Sequence, residues 1–264
     1  MTQPTTHRTH RAAFAAALAA LICAACASTG GPPALTSQQI ASIVAATDRS
    51  DADRRNDERR KPAEVLAFIG VRPGMTALDV SAGGGYTTEL LARAVGPGGR
   101  VYGQSRPRDP SRPAPARTSA MALAERAQKA TAANIVAVER PFESPAPVGL
   151  ENGAFDIVTL FFNYHDFGGT GIDRARLNTA VFAALKPGGV YVVADHAGRP
   201  GTGISESTTL HRIEESFLRR EVEAAGFRLD KAGDFLRNPA DLRDRETPEP
   251  AQPKDEFVLR FVKP

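Results

Sequence analysis

An apolar strand that runs directly into three glycines constrains this chain more than any other feature. The segment reads Ala77-Leu78-Asp79-Val80-Ser81-Ala82-Gly83-Gly84-Gly85-Tyr86. Glycine adopts positive φ without steric cost and lets a ligand approach bare main chain, while Asp79 places a carboxylate at the end of the strand. The pattern predicts a strand, a tight loop and a helix that together form a ligand-binding cradle.

The spacing of these glycines argues against a nicotinamide dinucleotide site. The dinucleotide fingerprint has glycine at the first, third and sixth positions of its loop. Gly83 and Gly85 fit two of these positions, but the sixth position is Thr88. The second predicted strand also ends without the acid that such enzymes direct at a ribose hydroxyl. An oxidoreductase is therefore the weaker interpretation.

Strand and helix patterns alternate from Pro62 onward, which predicts a parallel sheet with helices on both faces. The predicted strands are Thr76–Val80, Arg100–Gln104, Ile135–Val138, Phe155–Phe162, Gly189–Ala194, Gly226–Leu229 and Glu256–Phe261. About 200 residues follow Pro62, enough for one well-buried domain. The expected fold class is α/β and doubly wound.

The glycine segment resembles the first motif of the class I S-adenosylmethionine-dependent methyltransferases, which reads acid-x-Gly-x-Gly-x-Gly. Asp79, Gly83 and Gly85 match this motif, and Ser81 takes the place of the first glycine. The resemblance implies S-adenosylmethionine as the cofactor and methyl transfer to a small-molecule acceptor as the reaction.

A turn later in the chain supports the same resemblance. Leu185-Lys186-Pro187-Gly188 is typical of these methyltransferases at the point where a helix gives way to a strand. The resemblance covers residues 62–264, which we take as the methyltransferase domain. It implies a Rossmann-like, mostly parallel seven-stranded sheet whose last strand is antiparallel.

Seven cofactor-binding positions follow from the resemblance. They are Asp79, Ser81, Gly83, Gly85, Tyr86, Gln104 and Asn163. At the position of Gln104, the resembling enzymes usually have an acid that binds both ribose hydroxyls. A side-chain amide accepts a hydrogen bond from one hydroxyl and donates one to the other, so binding is retained with less charge assistance.

A polar run follows the longest apolar strand. Phe155–Phe162 leads into Asn163-Tyr164-His165-Asp166, and ligands of open α/β sheets bind beyond the carboxyl ends of the strands. His165, with an unperturbed pKa of about 6.5, is the predicted general base. We expect Asp166 to orient His165 or bind substrate, and Tyr164 or Asn163 to position the acceptor. The alternative is that His165 only completes the hydrogen bonds of its loop.

Several side chains able to bind a metal follow neighbouring strand ends. They are His165, Asp166, Asp195, His196 and His211. Some methyltransferases similar to this chain use a divalent cation in this region to bind a catechol. The spacing here matches no recognised ligand motif, so hydrogen bonding within loops is the favoured role and no metal site is predicted.

Residues 1–27 have the composition of an export signal. A basic start precedes an almost purely apolar run from Ala12 to Ala25, about as long as a signal-peptide core and short for a membrane span. Ala24-Ala25-Cys26 resembles a bacterial lipobox, in which the cysteine is acylated, while Ala25-Cys26-Ala27 also fits an ordinary cleavage site. We expect an exported, periplasmic protein whose contact with the membrane is a lipid anchor at Cys26.

The charge balance indicates no nucleic-acid partner. The chain carries a formal charge of +3, and the leader holds Arg8 and Arg11 without any acid, so its removal lowers the charge by two. Cys23 and Cys26 also lie in the leader, so no disulfide is expected within the domain. The oligomeric state stays open.

Residues 28–61 are predicted to form a tether followed by a charged helical segment. The run Asp48–Lys61 carries dense charge of both signs, and the ordinary role of such a run is a solvated helical face. The resembling enzymes suggest another role, in which Arg59, Arg60 or Lys61 closes over the carboxylate of the cofactor.

Export leaves a second class of function open, because S-adenosylmethionine is made in the cytoplasm. The alternative is a surface-tethered, non-catalytic protein that binds another small ligand on a methyltransferase-like fold. Asp79 and the glycines favour the enzyme, whereas Ser81, Gln104 and the leader favour the binding protein.

Overall fold

A mixed sheet of seven strands forms the centre of the chain. The structure is a computed structural model, and it describes residues 1–2, 31–111, 117–129, 131, 133–246 and 253–264. The strands are β1 (Thr76–Val80), β2 (Arg100–Ser105), β3 (Ile135–Glu139), β4 (Phe155–Phe161), β5 (Leu185–His196), β6 (Arg228–Gly233) and β7 (Glu256–Val262). Their order is β3-β2-β1-β4-β5-β7-β6, and β7 runs antiparallel to both of its neighbours. The predicted fold class is confirmed.

Seven α-helices accompany the sheet in the part of the chain that the structure describes. They are α1 (Ser37–Val44), α2 (Asp51–Arg60), α3 (Pro62–Ile69), α4 (Tyr86–Val95), α5 (Ser119–Ala127), α6 (Arg174–Ala184) and α7 (Glu215–Ala224). None of these described helices combines the length and the apolar character needed to span a membrane.

Two apolar layers cover the two faces of the sheet. Leu66 of α3 and Leu91 of α4 belong to one layer, and Leu177 of α6 and Leu218 of α7 belong to the other. Side chains alternate between the layers along each strand, because successive residues of a strand point to opposite faces. The helices therefore wind over both faces, and the carboxyl ends of the parallel strands meet at one edge.

Strand ends differ from the predicted ends in β5 and β6. The β4–β5 ladder starts at Phe155 opposite Leu185 and is then irregular until Ile157 pairs with Val190, so β5 begins before its predicted start. Gly226 has φ of +102° and turns the chain after α7, which delays the start of β6 to Arg228. Long-range pairing decides both boundaries.

The charged segment ahead of α3 is part of the compact unit Pro32–Pro264. Ile40 of α1 is buried in the apolar layer of α3 and α4. Arg49 and Asp53 are also buried, and Asp53 pairs with Arg126 of the domain. Asp51, Arg55 and Glu58 of the same segment are exposed, so α2 has the expected solvated face and packs its other face against the domain. The predicted leader, including Cys23 and Cys26, lies outside the described residues except for its first two positions.

Candidate active site

The loop after β1 opens toward a cleft. Gly83 has φ of +56°, and a Cβ atom built at this position would meet no atom within 4 Å. Gly85 has φ of +85°, but a Cβ atom there would lie 2.7 Å from a methyl carbon of Leu123. Gly83 therefore offers bare main chain to a ligand, whereas Gly85 is needed for packing against α5.

Ser81 adopts the backbone conformation of the glycine that it replaces. Its φ is +57°, in the left-handed region that costs a residue with a Cβ atom about 1–2 kcal/mol. Its backbone N–H donates a 2.9 Å hydrogen bond to Oε1 of Gln104. Ser81, which replaces the motif glycine, thus has a hydrogen-bond partner on the neighbouring strand β2.

Gln104 braces two loops in this structure. Its side chain is fully buried, and Nε2 donates a 2.6 Å hydrogen bond to the carbonyl of Arg140 while Oε1 accepts from Ser81. A buried amide must satisfy both its donor and its acceptor. The predicted contact of this amide with ribose hydroxyls stays a prediction, and Gln104 also lines the larger cavity.

The carboxylate of Asp79 ties three elements together. Thr88 of α4 donates a 2.6 Å hydrogen bond to one oxygen, and Thr159 of β4 donates a 2.7 Å bond to the other. Burial raises the pKa of Asp79 to about 6, against the lowering effect of these hydrogen bonds. The residue that breaks the dinucleotide pattern, Thr88, is thus a partner of the motif acid.

The segment Asp48–Lys61, here called the N-terminal clamp, is bound to the glycine loop through Arg126 of α5. Arg126 Nη1 lies 2.6 Å from an oxygen of Asp53 and also pairs with Glu89 of α4. Its Nε donates a 2.8 Å hydrogen bond to the carbonyl of Gly84. One guanidinium therefore fixes the clamp, α4 and the loop relative to each other.

Tyr86 joins the clamp from the other side. Its hydroxyl donates a 2.7 Å hydrogen bond to Asp57, which also accepts two 2.7 Å bonds from Arg49. Burial and the Asp57 carboxylate raise the pKa of Tyr86. Its hydroxyl is therefore engaged with the clamp, and the residue lines the space between clamp and loop.

Two cavities share Ser81 and Gly83 in their walls. The larger, of about 530 Å³, extends along the ends of β2 and β3 past Gln104 and Ser105. The hydroxyl of Ser105 is buried and has no hydrogen-bond partner among the described residues. The smaller, of about 250 Å³, lies under the clamp and includes Asn163. Together they form a cleft long enough for a nucleoside with a polar extension.

Arg60 lines the smaller cavity as a cation without a counter-ion. Its guanidinium carbon lies 4.1 Å from the ring centroid of Phe162, and it makes no ion pair with a carboxylate of the described residues. Burial lowers the pKa of Arg60 to about 10, so it stays charged at neutral pH. Arg59, in contrast, pairs with the buried carboxylate of Glu256.

The His165 cluster, defined as His165, Asp166 and His211, lies beyond the carboxyl ends of β4 and β5. His165 Nε2 and His211 Nδ1 are each 3.1 Å from the same oxygen of Asp166. On its other side, His165 Nδ1 lies 2.5 Å from Asp195, which also accepts a 2.8 Å hydrogen bond from the His165 backbone. Asp195 therefore fixes the orientation of the imidazole.

The surroundings of His165 do not favour the predicted role of general base. Burial lowers the pKa of an imidazole, but hydrogen bonds with Asp166 and Asp195 outweigh burial and raise the pKa of His165 to about 9. The ring thus holds its proton at neutral pH and donates from both nitrogens. In this arrangement no nitrogen is free to accept a proton from a substrate.

Asn163 connects the cleft to the His165 cluster. It lines the smaller cavity, and its Nδ2 donates a 3.1 Å hydrogen bond to Oδ2 of Asp166. The other oxygen of Asp166 is the one shared by His165 and His211. Both predicted polar groups, Asn163 and Asp166, therefore lie at the same edge of the sheet.

Tyr164 is not brought to this site, which corrects its predicted role in positioning an acceptor. The side chain is fully buried in the layer of α6 and α7. Its hydroxyl donates a 2.9 Å hydrogen bond to Glu221 and accepts a 2.8 Å bond from Asn178. Phe162 has φ of +62°, so strand alternation stops there and Tyr164 points to the opposite face.

Sequence reasoning did not assign the observed roles of three contributors to the site. Ser105 lines the larger cavity, Arg126 holds the clamp, and Asp195, considered in the sequence only as a metal ligand, orients His165. Ser105 and Asp195 had a visible signal, since each lies at the carboxyl end of a strand. Arg126 had no such signal in the sequence, because the residues that it contacts lie far from it along the chain.

No family model matches this chain. It is 27% identical to the demethylmenaquinone methyltransferase of Bacillus mycoides over 148 residues, which is 56% of each protein. The chain spans about half or less of the length of the curated relatives that it matches.

Solved structures share the fold over almost the whole chain. A SAM-dependent methyltransferase from Aquifex aeolicus superimposes with a TM-score of 0.59 at 17% identity, covering 87% of this chain and all of that one. The [4+2]-cyclase SpnF gives a TM-score of 0.57 at 17% identity, covering 89% and 99%. The chain thus has the fold of S-adenosylmethionine-dependent methyltransferases, a fold that also carries other chemistry.

The bracing role of Gln104 predicts the effect of restoring an acid there. In Gln104→Glu, a carboxylate oxygen replaces the donor that faces the Arg140 carbonyl, so we expect the free energy of unfolding to fall by about 1–3 kcal/mol. Urea denaturation followed by circular dichroism measures this change. Gln128→Glu, the same exchange at an exposed position, is the control. Equal stability of the two variants would contradict the brace.

The buried position of Tyr164 predicts a structural effect only. Tyr164→Phe loses the hydrogen bonds to Glu221 and Asn178, so we expect a loss of about 1–2 kcal/mol in unfolding free energy. Tyr191→Phe is a matched control, because the buried Tyr191 hydroxyl has no partner among the described residues. A destabilisation of Tyr191→Phe as large as that of Tyr164→Phe would show that hydroxyl removal, not these bonds, is responsible.

Proposed function

We propose that this protein binds S-adenosylmethionine in the cleft between the glycine loop and the N-terminal clamp and transfers its methyl group to a small acceptor. The observation that carries the proposal is the pair of cavities beside the glycine loop of a methyltransferase fold, one of them lined by Arg60, which makes no ion pair among the described residues. The matched relatives supply the reaction class.

The larger cavity fits the nucleoside part of the cofactor. Gly83 leaves main chain bare at its wall, and Ser105 also lines it, with a buried hydroxyl that has no partner among the described residues. Buried polar atoms are almost always hydrogen-bonded in folded proteins, so a hydroxyl without a partner in the wall of a cavity is a candidate contact for a ligand after rotation of the side chain. We propose Ser105, rather than Gln104 alone, as a partner of the ribose.

The smaller cavity fits the amino-acid part. A carboxylate placed there would meet the guanidinium of Arg60, which lies on Phe162 and has no other counter-ion among the described residues. A charge-assisted hydrogen bond in a partly buried site is about twice as strong as a neutral one. This contact supports the proposal that the clamp closes over the cofactor.

The chain's own residues would mainly align the reactants. When bound, the cofactor supplies a methyl group on a positively charged sulfur, a reactive group that needs little acid catalysis. Asn163 lines the smaller cavity and hydrogen bonds to Asp166, so the His165 cluster lies beside the cavity proposed for the amino-acid part of the cofactor, whose sulfur carries the methyl. We propose that the acceptor binds between Asn163 and this cluster, and that positioning supplies most of the rate enhancement.

The cofactor assignment predicts a specific loss of affinity when Arg60 is neutralised. In Arg60→Met, the carboxylate loses its counter-ion, so we expect the Kd for S-adenosylmethionine and for S-adenosylhomocysteine to rise about 10-fold or more. Isothermal titration calorimetry of the folded protein measures both values. Arg55→Met, which removes an exposed charge from the same helix, is the control and should bind as wild type.

Other outcomes of the same titration separate the alternatives. Binding of NAD in place of both sulfur compounds would contradict the assignment. If Arg60→Met and the wild type bound S-adenosylmethionine with equal affinity, the cofactor assignment would stand, but the proposed contact of Arg60 with the cofactor would be wrong. Cofactor binding without transfer to any phenol, thiol or amine in a test panel would favour the non-catalytic binding protein.

We also propose that the protein is exported and held at a bacterial membrane by a lipid on Cys26. The basic start, the apolar run and the sequence Ala24-Ala25-Cys26 support this proposal. An acylated cysteine gives membrane attachment without a spanning helix.

The anchor proposal predicts the N-terminus of the mature protein. Mass spectrometry of protein from the native host should find Cys26 as the first residue with an added acyl mass, and Cys26→Ser should lose the modification. An unmodified mature N-terminus at Ser28 would instead indicate a periplasmic protein without an anchor.

A further inference from the structure

We propose that His165, Asp166 and His211 form a binding site for a divalent transition-metal ion. Their ligating atoms all lie within 4.8 Å of one another. Two imidazole nitrogens and a carboxylate oxygen on one side of an ion are a set that zinc, cobalt and iron(II) accept.

The distances between the ligating atoms suit such an ion. His165 Nε2 and His211 Nδ1 each lie 3.1 Å from the same oxygen of Asp166. Metal–ligand bonds of about 2.0–2.1 Å in a tetrahedral or octahedral arrangement separate neighbouring ligand atoms by about 2.9–3.4 Å. Small rotations of the partly exposed Asp166 and His211 side chains would bring their ligating atoms and His165 Nε2 to one ion.

The groups behind the ligands are arranged as in protein metal sites. Asp195 is fully buried and lies 2.5 Å from His165 Nδ1, so the nitrogen left for an ion is Nε2, which faces Asp166 and gives up its proton when the ion binds. Asn163 donates to Oδ2 of Asp166 and leaves Oδ1 toward the two histidines. Carboxylates and amides that orient ligands in this way are a regular part of metal sites, and their loss weakens binding about 10- to 100-fold.

The site is open on one side. The side chains of Asp166 and His211 are 36% and 44% exposed, whereas that of His165 is 4% exposed. Three protein ligands leave at least one coordination position for water or substrate. If the proposed methyl transfer is correct, an acceptor hydroxyl or thiol bound there would lose its proton more easily beside Asn163 and the cofactor. This last step rests on the proposed function, but the metal site itself does not.

The test uses Co²⁺ as a spectroscopic probe. The full-length protein is dialysed against a chelator and titrated with Co²⁺ in the absence of cofactor. We expect one equivalent per chain, with visible d–d absorption that Zn²⁺ abolishes and millimolar Mg²⁺ leaves unchanged, because imidazole ligands favour transition metals.

Variants locate the bound ion. His211→Ala removes a largely exposed ligand and should weaken Co²⁺ binding about 100-fold or more while circular dichroism shows an intact fold. His196→Gln alters the neighbouring imidazole outside the cluster and should bind as wild type. A further control, His7→Ala with His10→Ala, removes the two leader histidines and should also retain binding.

Two results would overturn the proposal. One is wild-type protein that binds no Co²⁺ up to millimolar concentration, and the other is His211→Ala that binds with wild-type affinity. Because these titrations contain no S-adenosylmethionine, and cofactor binding is measured on metal-free protein, failure of the metal site and failure of the methyltransferase proposal are distinguishable.

Discussion

The buried carboxylate of Asp79 is the constraint on which this edge of the sheet depends. A carboxylate withdrawn from water costs several kcal/mol unless hydrogen bonds replace its hydration. The hydroxyls of Thr88 and Thr159 supply those bonds, and they come from α4 and β4. The carboxylate therefore fixes a helix and a strand relative to β1. The glycine loop leaves β1 between this helix and this strand, and both cavities lie beside the loop.

Much of the fold was predictable because the burial of each strand is evident in its own residues. Phe155–Phe161 is apolar almost throughout, as a strand covered on both faces must be. The errors fall where distant residues decide. β6 begins late because β7 sets its ladder, an effect that is not visible in the local pattern, whereas the turn at Gly226 was visible there and was assigned to the strand instead.

The candidate site was less predictable, because its side chains depend on strained backbone and long-range pairs. Ser81, Phe162 and His211 all have positive φ without being glycine. Ser81 lines the cleft, Phe162 lies against Arg60 in its wall, and His211 belongs to the His165 cluster. Backbone strain of this kind concentrates at functional sites, and it interrupts the alternation of side chains between the two faces of a strand. This is why Tyr164 lies on the opposite face. The partners of Gln104 were equally hidden, since Arg140 is 36 residues away in the chain.

The N-terminal clamp also links ligand binding to the docking of a chain segment. The clamp contributes a wall of the smaller cavity, and it is held there through Arg126 and Tyr86. A ligand that contacts Arg60 binds only when the segment is docked, so it stabilises docking by the same free energy by which docking strengthens binding. A mechanical force or a binding partner that displaces the residues ahead of α2 would thus change ligand affinity, while the sheet itself keeps its structure. The position of the N-terminal clamp therefore sets the ligand affinity of the cleft.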